Sequence, residues 1–76
     1  MQLFTGGHLS FYMPGHKHSL ELTLEAPTPL TEILALIGIP LSELALTAIN
    51  GEIVDAETAV VQDNDQVRIF SAVDGG

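Results

Sequence analysis

The chain has 76 residues, a formal charge of −8 from two basic and ten acidic side chains, 46% hydrophobic residues and no cysteine. This length predicts one small domain over residues 1–76, with an aliphatic core and no large cleft. The charge argues against nucleic acid and anionic membranes as partners, and the missing thiols exclude thiolate zinc sites and persulfides on this chain.

The first part of the chain predicts two strands joined by a loop. Residues 2–5 form a short strand candidate, and residues 19–25 alternate between leucine and polar side chains, which is typical of a half-buried strand. Between them, residues 6–18 fit either a strand or a folded loop with its apolar side chains turned inward, and we favour the loop. The predicted inward positions are Leu9, Phe11, Met13, Leu20, Leu22 and Leu24.

A short helix is predicted next. Thr28 is a candidate N-cap and Pro29 suits the first helical position. Gly38 favours a helix end, and Pro40 prevents continuation. The apolar face of this helix consists of Leu30, Ile33, Leu34 and Ile37.

The rest of the sequence predicts a hairpin, a connection and a last strand. Asn50 and Gly51 are typical of a two-residue hairpin turn, since both tolerate positive φ. In the last strand Val67 and Ile69 share one face, and Phe70 lies on the other with Arg68. The predicted segments are strands over 44–49 and 52–54, a connection over 55–62, a polar turn at 63–65 and a strand over 66–70.

This order of elements predicts an α+β domain in which one helix covers one face of a small sheet. Phe70 would then lie on the uncovered face, where an aromatic side chain is a natural partner contact. The sequence closes on Gly75-Gly76, a segment thin enough to enter a narrow channel, so the final carboxylate is a candidate reactive group. Taken alone, the glycine pair is more typical of a frayed end.

Five short segments follow one another in a characteristic order: GIP at 38–40, TAINGE at 47–52, DND at 63–65, VRIF at 67–70 and AVDGG at 72–76. Their order and spacing resemble the MoaD/ThiS family of ubiquitin-like sulfur carriers over residues 19–76. The resemblance implies a β-grasp fold, in which the first and last strands lie side by side in a mixed sheet crossed by the helix.

The resemblance also implies a chemistry centred on Gly76. A ubiquitin-activating-like adenylyltransferase would use ATP to adenylate its carboxylate, a sulfur donor would convert it to a thiocarboxylate, and an acceptor synthase subunit would receive the sulfur. Phe70, Val73, Asp74 and Gly75 are the expected partner contacts. The chain itself would be a protein cosubstrate rather than an enzyme, with no bound cofactor.

Two acceptors are known in this family, the dithiolene of molybdopterin and the thiazole of thiamine. The tail, with Phe70 and with Val73 shortly before the glycines, looks more like the MoaD branch, which serves molybdopterin. Ser71 stands where that branch usually has proline.

Other functions remain open at this point. The same activated Gly76 could be joined to lysines of target proteins, which would make the chain a protein modifier. His8, His16 and His18 could bind a metal, but they lie in a polar segment beside Lys17, so we favour solvated histidines and predict no metal site. A TGS-type regulatory β-grasp domain is a further alternative.

The sequence also bears on the location of the protein in the cell and on its oligomeric state. No apolar run has the length of a membrane-spanning helix, and no basic region followed by an apolar stretch opens the sequence. We therefore expect a cytoplasmic protein that is monomeric when free. Its acidity favours partners with a basic groove.

Overall fold

The computed structural model describes residues 1–72. Within this part of the chain one α-helix, α1, runs over Leu30–Ile37, and 3-10 turns occupy Gly7–Tyr12, Pro14–His16 and Leu41–Glu43. The strands are β1 Gln2–Gly6, β2 Ser19–Glu21, β3 Thr28–Pro29, β4 Leu44–Ile49, β5 Glu52–Val54, β6 Val60–Val61 and β7 Gln66–Ser71.

The main sheet has five strands in the order β2-β1-β7-β4-β5. Strands β1 and β7 are parallel neighbours, with Leu3 opposite Val67 and Gly6 opposite Phe70, whereas the other pairs are antiparallel. This mixed sheet with its first and last strands side by side, together with one main helix, confirms the predicted β-grasp fold. Since β1 and β7 run in the same direction, both strands finish at the same end of the sheet.

The core lies between α1 and one face of the sheet. Leu30, Ile33 and Leu34 are buried from the helix, as the apolar spacing predicts, and Ile37 packs against them while partly buried. The sheet contributes side chains that alternate along each strand. The buried hydrophobic cluster comprises Met1, Leu3, Leu9, Met13, Leu30, Ile33, Leu34, Ile39, Val61, Val67 and Ile69.

The predicted start of the helix is wrong. Thr28 does not cap α1; it belongs with Pro29 to β3, which pairs with the unpredicted strand β6, and its hydroxyl donates to the Ala26 carbonyl at 2.9 Å. The N–H of Leu30 donates instead to the carbonyl of Ala59 at 3.0 Å. A backbone carbonyl distant in sequence therefore satisfies one of the free N–H groups of the first turn.

The predicted end of the helix is confirmed. Gly38 adopts a left-handed conformation with φ of 99°, which is the reason for a glycine at this position. The N–H groups of Gly38 and Ile39 both donate to the Leu34 carbonyl, at 2.8 and 2.9 Å. Ile39 can then return to the core, where it is buried.

The strand predicted over residues 19–25 is too long, since β2 ends at Glu21. The alternation of burial does continue, with Leu20, Leu22 and Leu24 half-buried and the residues between them exposed. The N–H of Leu24, however, donates to Asp63 Oδ1 at 2.8 Å rather than to a neighbouring strand. A side-chain acceptor has replaced the backbone ladder here, so regular strand geometry is not maintained.

The segment between β1 and β2 is a folded loop, as predicted, but the predicted inward position of Phe11 is wrong. Leu9 and Met13 are buried, whereas Phe11 is 68% exposed. The loop is built from 3-10 turns with three residues per turn, so Leu9 shares its face with the half-buried Tyr12 rather than with Phe11. Two-residue alternation is a strand property and does not apply to this conformation.

The hairpin and the last strand match their predictions. Asn50 and Gly51 have φ of 53° and 83°, and they join β4 to β5. In β7, Val67 and Ile69 are buried, and Arg68 and Phe70 lie on the opposite, exposed side.

Candidate functional site

The candidate site begins at the end of β7, where the last strand gives way to the tail. Ser71 is the final residue of the strand, and its neighbour Phe70 lies on the face of the sheet opposite the core. The other predicted site residues, Val73, Asp74, Gly75 and Gly76, lie outside the described residues.

Phe70 is held in place by its neighbours on the uncovered face. It lies opposite Gly6 of β1 and Leu46 of β4. A Cβ atom at Gly6 would overlap the Phe70 ring, so the absence of a side chain there lets the ring lie close against the backbone. Phe70 still exposes 39% of its surface, and Leu46 exposes 41%.

Next to Phe70, the uncovered face carries further apolar side chains and one cation. The Arg68 guanidinium carbon lies 4.8 Å from the centroid of the Phe4 ring, which is a cation–π distance. Register places Ile53, 69% exposed, on this same face through Ala48. We call the surface formed by Phe4, Leu46, Ile53, Arg68 and Phe70 the open-face patch.

Ser71 connects the end of β7 to the loop that follows β1. It is 8% exposed, and its Oγ accepts a hydrogen bond from the His8 N–H at 3.1 Å. This role of Ser71 is not among the predictions from the sequence. A signal was available, because Ser71 continues the core-facing alternation of Val67 and Ile69, and a buried hydroxyl needs a hydrogen-bond partner.

A second set of polar contacts lies at the other end of β7. Asn50 Nδ2 donates to Asp65 Oδ1 at 2.9 Å, and Asn50 Oδ1 accepts from the Gln66 N–H at 2.9 Å. Asp65 Oδ2 accepts from the Gln62 N–H at 2.8 Å. These contacts join the hairpin turn to the turn before β7, so this part of the recognised pattern holds the scaffold together at the start of β7, opposite to the end at Ser71.

Within residues 1–72, Asp63 has a pKa that is clearly shifted from its usual value. The Leu24 N–H bonded to its Oδ1 lowers the pKa of this carboxyl below its usual value. The Met1 ammonium, 3.6 Å from the same oxygen, also lowers this pKa.

The histidines do not converge. Among residues 1–72, no three His, Cys, Asp or Glu side chains come together in a way that could hold a metal ion. His16 instead stacks on Phe11, with ring centroids 5.5 Å apart. No helix in the described part of the chain has the length and apolar character needed to cross a membrane.

Comparison with known proteins identifies the family. The model of the ThiS family matches residues 12–76, which includes every element from β2 to β7 and the whole tail. No individual curated protein matches the chain. Proteins of this family are small carriers that act together with activating enzymes and synthase partners. The match covers most of the chain and agrees with the β-grasp arrangement of the sheet, so the chain belongs to the ThiS family of ubiquitin-like sulfur carriers.

Proposed function

We propose that this chain carries sulfur on the carboxyl carbon of Gly76, as a thiocarboxylate made by partner enzymes. The observation that carries the proposal is the family match, which extends through the final glycine pair. The composition also supports sulfur carriage on a carboxyl carbon, because a chain without cysteine has no thiol on which to carry a persulfide.

The chemistry requires activation before sulfur transfer. The Gly76 carboxylate attacks the α-phosphorus of ATP on a ubiquitin-activating-like adenylyltransferase, and pyrophosphate leaves. A persulfide sulfur of the donor then attacks the acyl carbon and AMP leaves, after which a thiol cleaves the S–S bond and is oxidised to a disulfide. Both reactants are positioned by the partner, so the carrier supplies the substrate group and needs no catalytic base.

The carrier must also bring its body close to the partner's nucleotide. Five residues follow Ser71 in the sequence, and a chain of that length reaches at most roughly 17 Å. The partner's active site therefore has to lie within that distance of the end of β7. We assign the contact to the open-face patch, with Phe70 as its anchor, and to Val73, Asp74 and Gly75 in the tail channel.

For the sulfur acceptor we propose the dithiolene of molybdopterin rather than the thiazole of thiamine. The support is the tail sequence, where Phe70 and the placement of Val73 before the glycines resemble the branch that serves molybdopterin. An acceptor synthase subunit would take the thiocarboxylate end into its own active site.

The test uses the activating enzyme and sulfur donor from the same organism, with ATP. Mass spectrometry of the C-terminal peptide should show one oxygen replaced by sulfur, and the sulfurated chain should then convert the molybdopterin precursor with its synthase subunit. Transfer to the thiazole instead would reassign the acceptor. Peptides carrying the chain's glycines on lysines would indicate the protein modifier. A chain that consumes no ATP with a competent enzyme would overturn the proposal.

A further inference from the structure

Charge is distributed very unevenly along this chain. Residues 1–20 contain no Asp or Glu, whereas all ten acidic residues follow from Glu21 onward. The three histidines and Lys17, which is exposed, lie between β1 and β2. We call residues 7–18 the basic loop. It lies within residues 1–20, the longest stretch without a carboxylate on a chain of formal charge −8.

The basic loop lies beside the origin of the tail. It follows β1, which is parallel to its neighbour β7, so the loop begins at the same end of the sheet at which β7 ends. The His8 N–H is bonded to Ser71 Oγ at 3.1 Å, and Leu9 is fully buried. At the other end of the loop, the His18 carbonyl accepts from the Thr5 N–H at 2.9 Å. The loop is therefore anchored to Ser71 at one end and to β1 at the other.

The basic loop also presents an aromatic side chain that the fold does not use. Phe11 is 68% exposed. Its ring stacks on His16 with an interplanar angle of 25° and meets the edge of Tyr12 at 87°, both at 5.5 Å between centroids. His16 adopts a positive φ of 54°, a conformation that is costly for a residue other than glycine. The exposed Phe11 ring therefore contacts two neighbouring side chains of the same loop.

We propose that the basic loop is a second docking surface for the activating enzyme, which receives the Phe11 ring in an apolar site bordered by carboxylates. This inference rests on the function proposed above. The activating enzyme is the occupant because the acyl-adenylate is required whether the chain donates sulfur or modifies lysines. Since the tail reaches only roughly 17 Å beyond Ser71, an enzyme that takes the tail also comes close to the loop.

Charge complementarity gives the loop a distinct task. Long-range attraction between the acidic carrier and a basic partner brings the two together but does not fix the rotation of the carrier about its tail. A local contact of the opposite sign, between Lys17 and partner carboxylates, does fix that rotation. The exposed Phe11 ring, stacked on His16, then adds apolar contact with the enzyme.

Two substitutions test the proposal in steady-state assays of pyrophosphate release, with the carrier as the varied substrate. Phe11→Ser should raise the KM for the carrier on the order of 10-fold with kcat little changed, because an aromatic anchor is lost and the reacting carboxylate is not. Leu36→Ser is the matched control, since Leu36 is 79% exposed on α1 and lies beside Leu22 and Leu24 rather than in the basic loop. It should leave both constants unchanged.

Lys17→Glu separates the local contact from the overall charge. The substitution makes the carrier more acidic, so attraction to a uniformly basic partner would lower the KM. The proposal requires the opposite, a rise of roughly 3- to 10-fold. Lys17 is exposed, so this variant keeps the test available if Phe11→Ser proves poorly folded by circular dichroism.

The outcomes are distinguishable from failure of the proposed function. If the wild-type chain releases no pyrophosphate and gains no sulfur, the function itself is wrong. If the wild-type chain is adenylated normally but Phe11→Ser is indistinguishable from Leu36→Ser, or Lys17→Glu lowers the KM, the docking role of the basic loop is overturned.

Discussion

Phe70 and Ile69 are neighbours in β7 with opposite environments, and they separate partner contact from folding. Phe70→Ala removes a ring that is 39% exposed, so we expect weaker association with the activating enzyme by about 1 to 4 kcal/mol and a smaller loss of stability. Ile69→Ala opens a cavity at a fully buried position and should cost about 2 to 5 kcal/mol of unfolding free energy. Binding titrations and thermal melts of both variants provide the measurement. Unchanged binding by a strongly destabilised Phe70→Ala would make Phe70 a core residue.

The terminal glycines provide the second prediction at the residue scale. Deleting Gly76, or adding one residue after it, should abolish adenylation because the reacting carboxylate no longer reaches its position. Replacing Gly75 with Phe should act similarly by blocking a narrow channel. The fold should be unaffected, since the buried alternation of β7 ends at Ser71. Adenylation of the extended chain at its new end would contradict this steric argument.

At the scale of elements, Asp63 links the turn before β7 to the segment that follows β2. The folded protein lowers the pKa of Asp63 below the ordinary value of about 3.9, so the unfolded chain binds the proton more readily. The stabilisation of the folded state by the ionised Asp63 carboxylate is therefore present above about pH 3.9. It is lost as the pH falls through the lower pKa of Asp63 in the folded protein.

The corresponding experiment compares the wild-type chain with Asp63→Asn, which keeps an acceptor for the Leu24 N–H but removes the charge. The difference between their melting temperatures should narrow as pH falls from about 5 toward 3. Glu57→Gln, which removes one exposed carboxylate elsewhere on the surface, serves as the control for the change in net charge. A difference that stays constant over this range would show that the charge of Asp63 does not stabilise the link.

For the whole molecule, charge should govern the rate of encounter with partners. The formal charge of −8 predicts that association with a basic surface slows as ionic strength rises, because charges farther apart than about 8 to 10 Å are screened near physiological salt. Stopped-flow measurements over a salt series should show a falling association rate and a nearly constant dissociation rate. An association rate independent of salt would mean that the contacts near the tail, rather than the overall field, control encounter.

The sequence by itself determined the local features of this protein, because each depends on residues close together in the chain. Alternation in residues 66–70 assigned Val67 and Ile69 to the core, the Asn50-Gly51 pair identified the hairpin, and Gly38 marked the helix end. The ordered pattern from residue 38 to Gly76 identified the family, and with it the tail as the candidate site.

Only the tertiary structure decided the features in which a polar group has competing partners. Thr28 satisfies a local capping rule, yet pairing of β3 with β6 takes its backbone into a strand, and the Ala59 carbonyl serves the helix instead. Ser71 and His8 are 63 residues apart, so no local pattern could reveal their hydrogen bond. That contact and the parallel pairing of β1 with β7 place the basic loop beside the end of β7, because strand order in a sheet is set by long-range packing rather than by the neighbours of each residue.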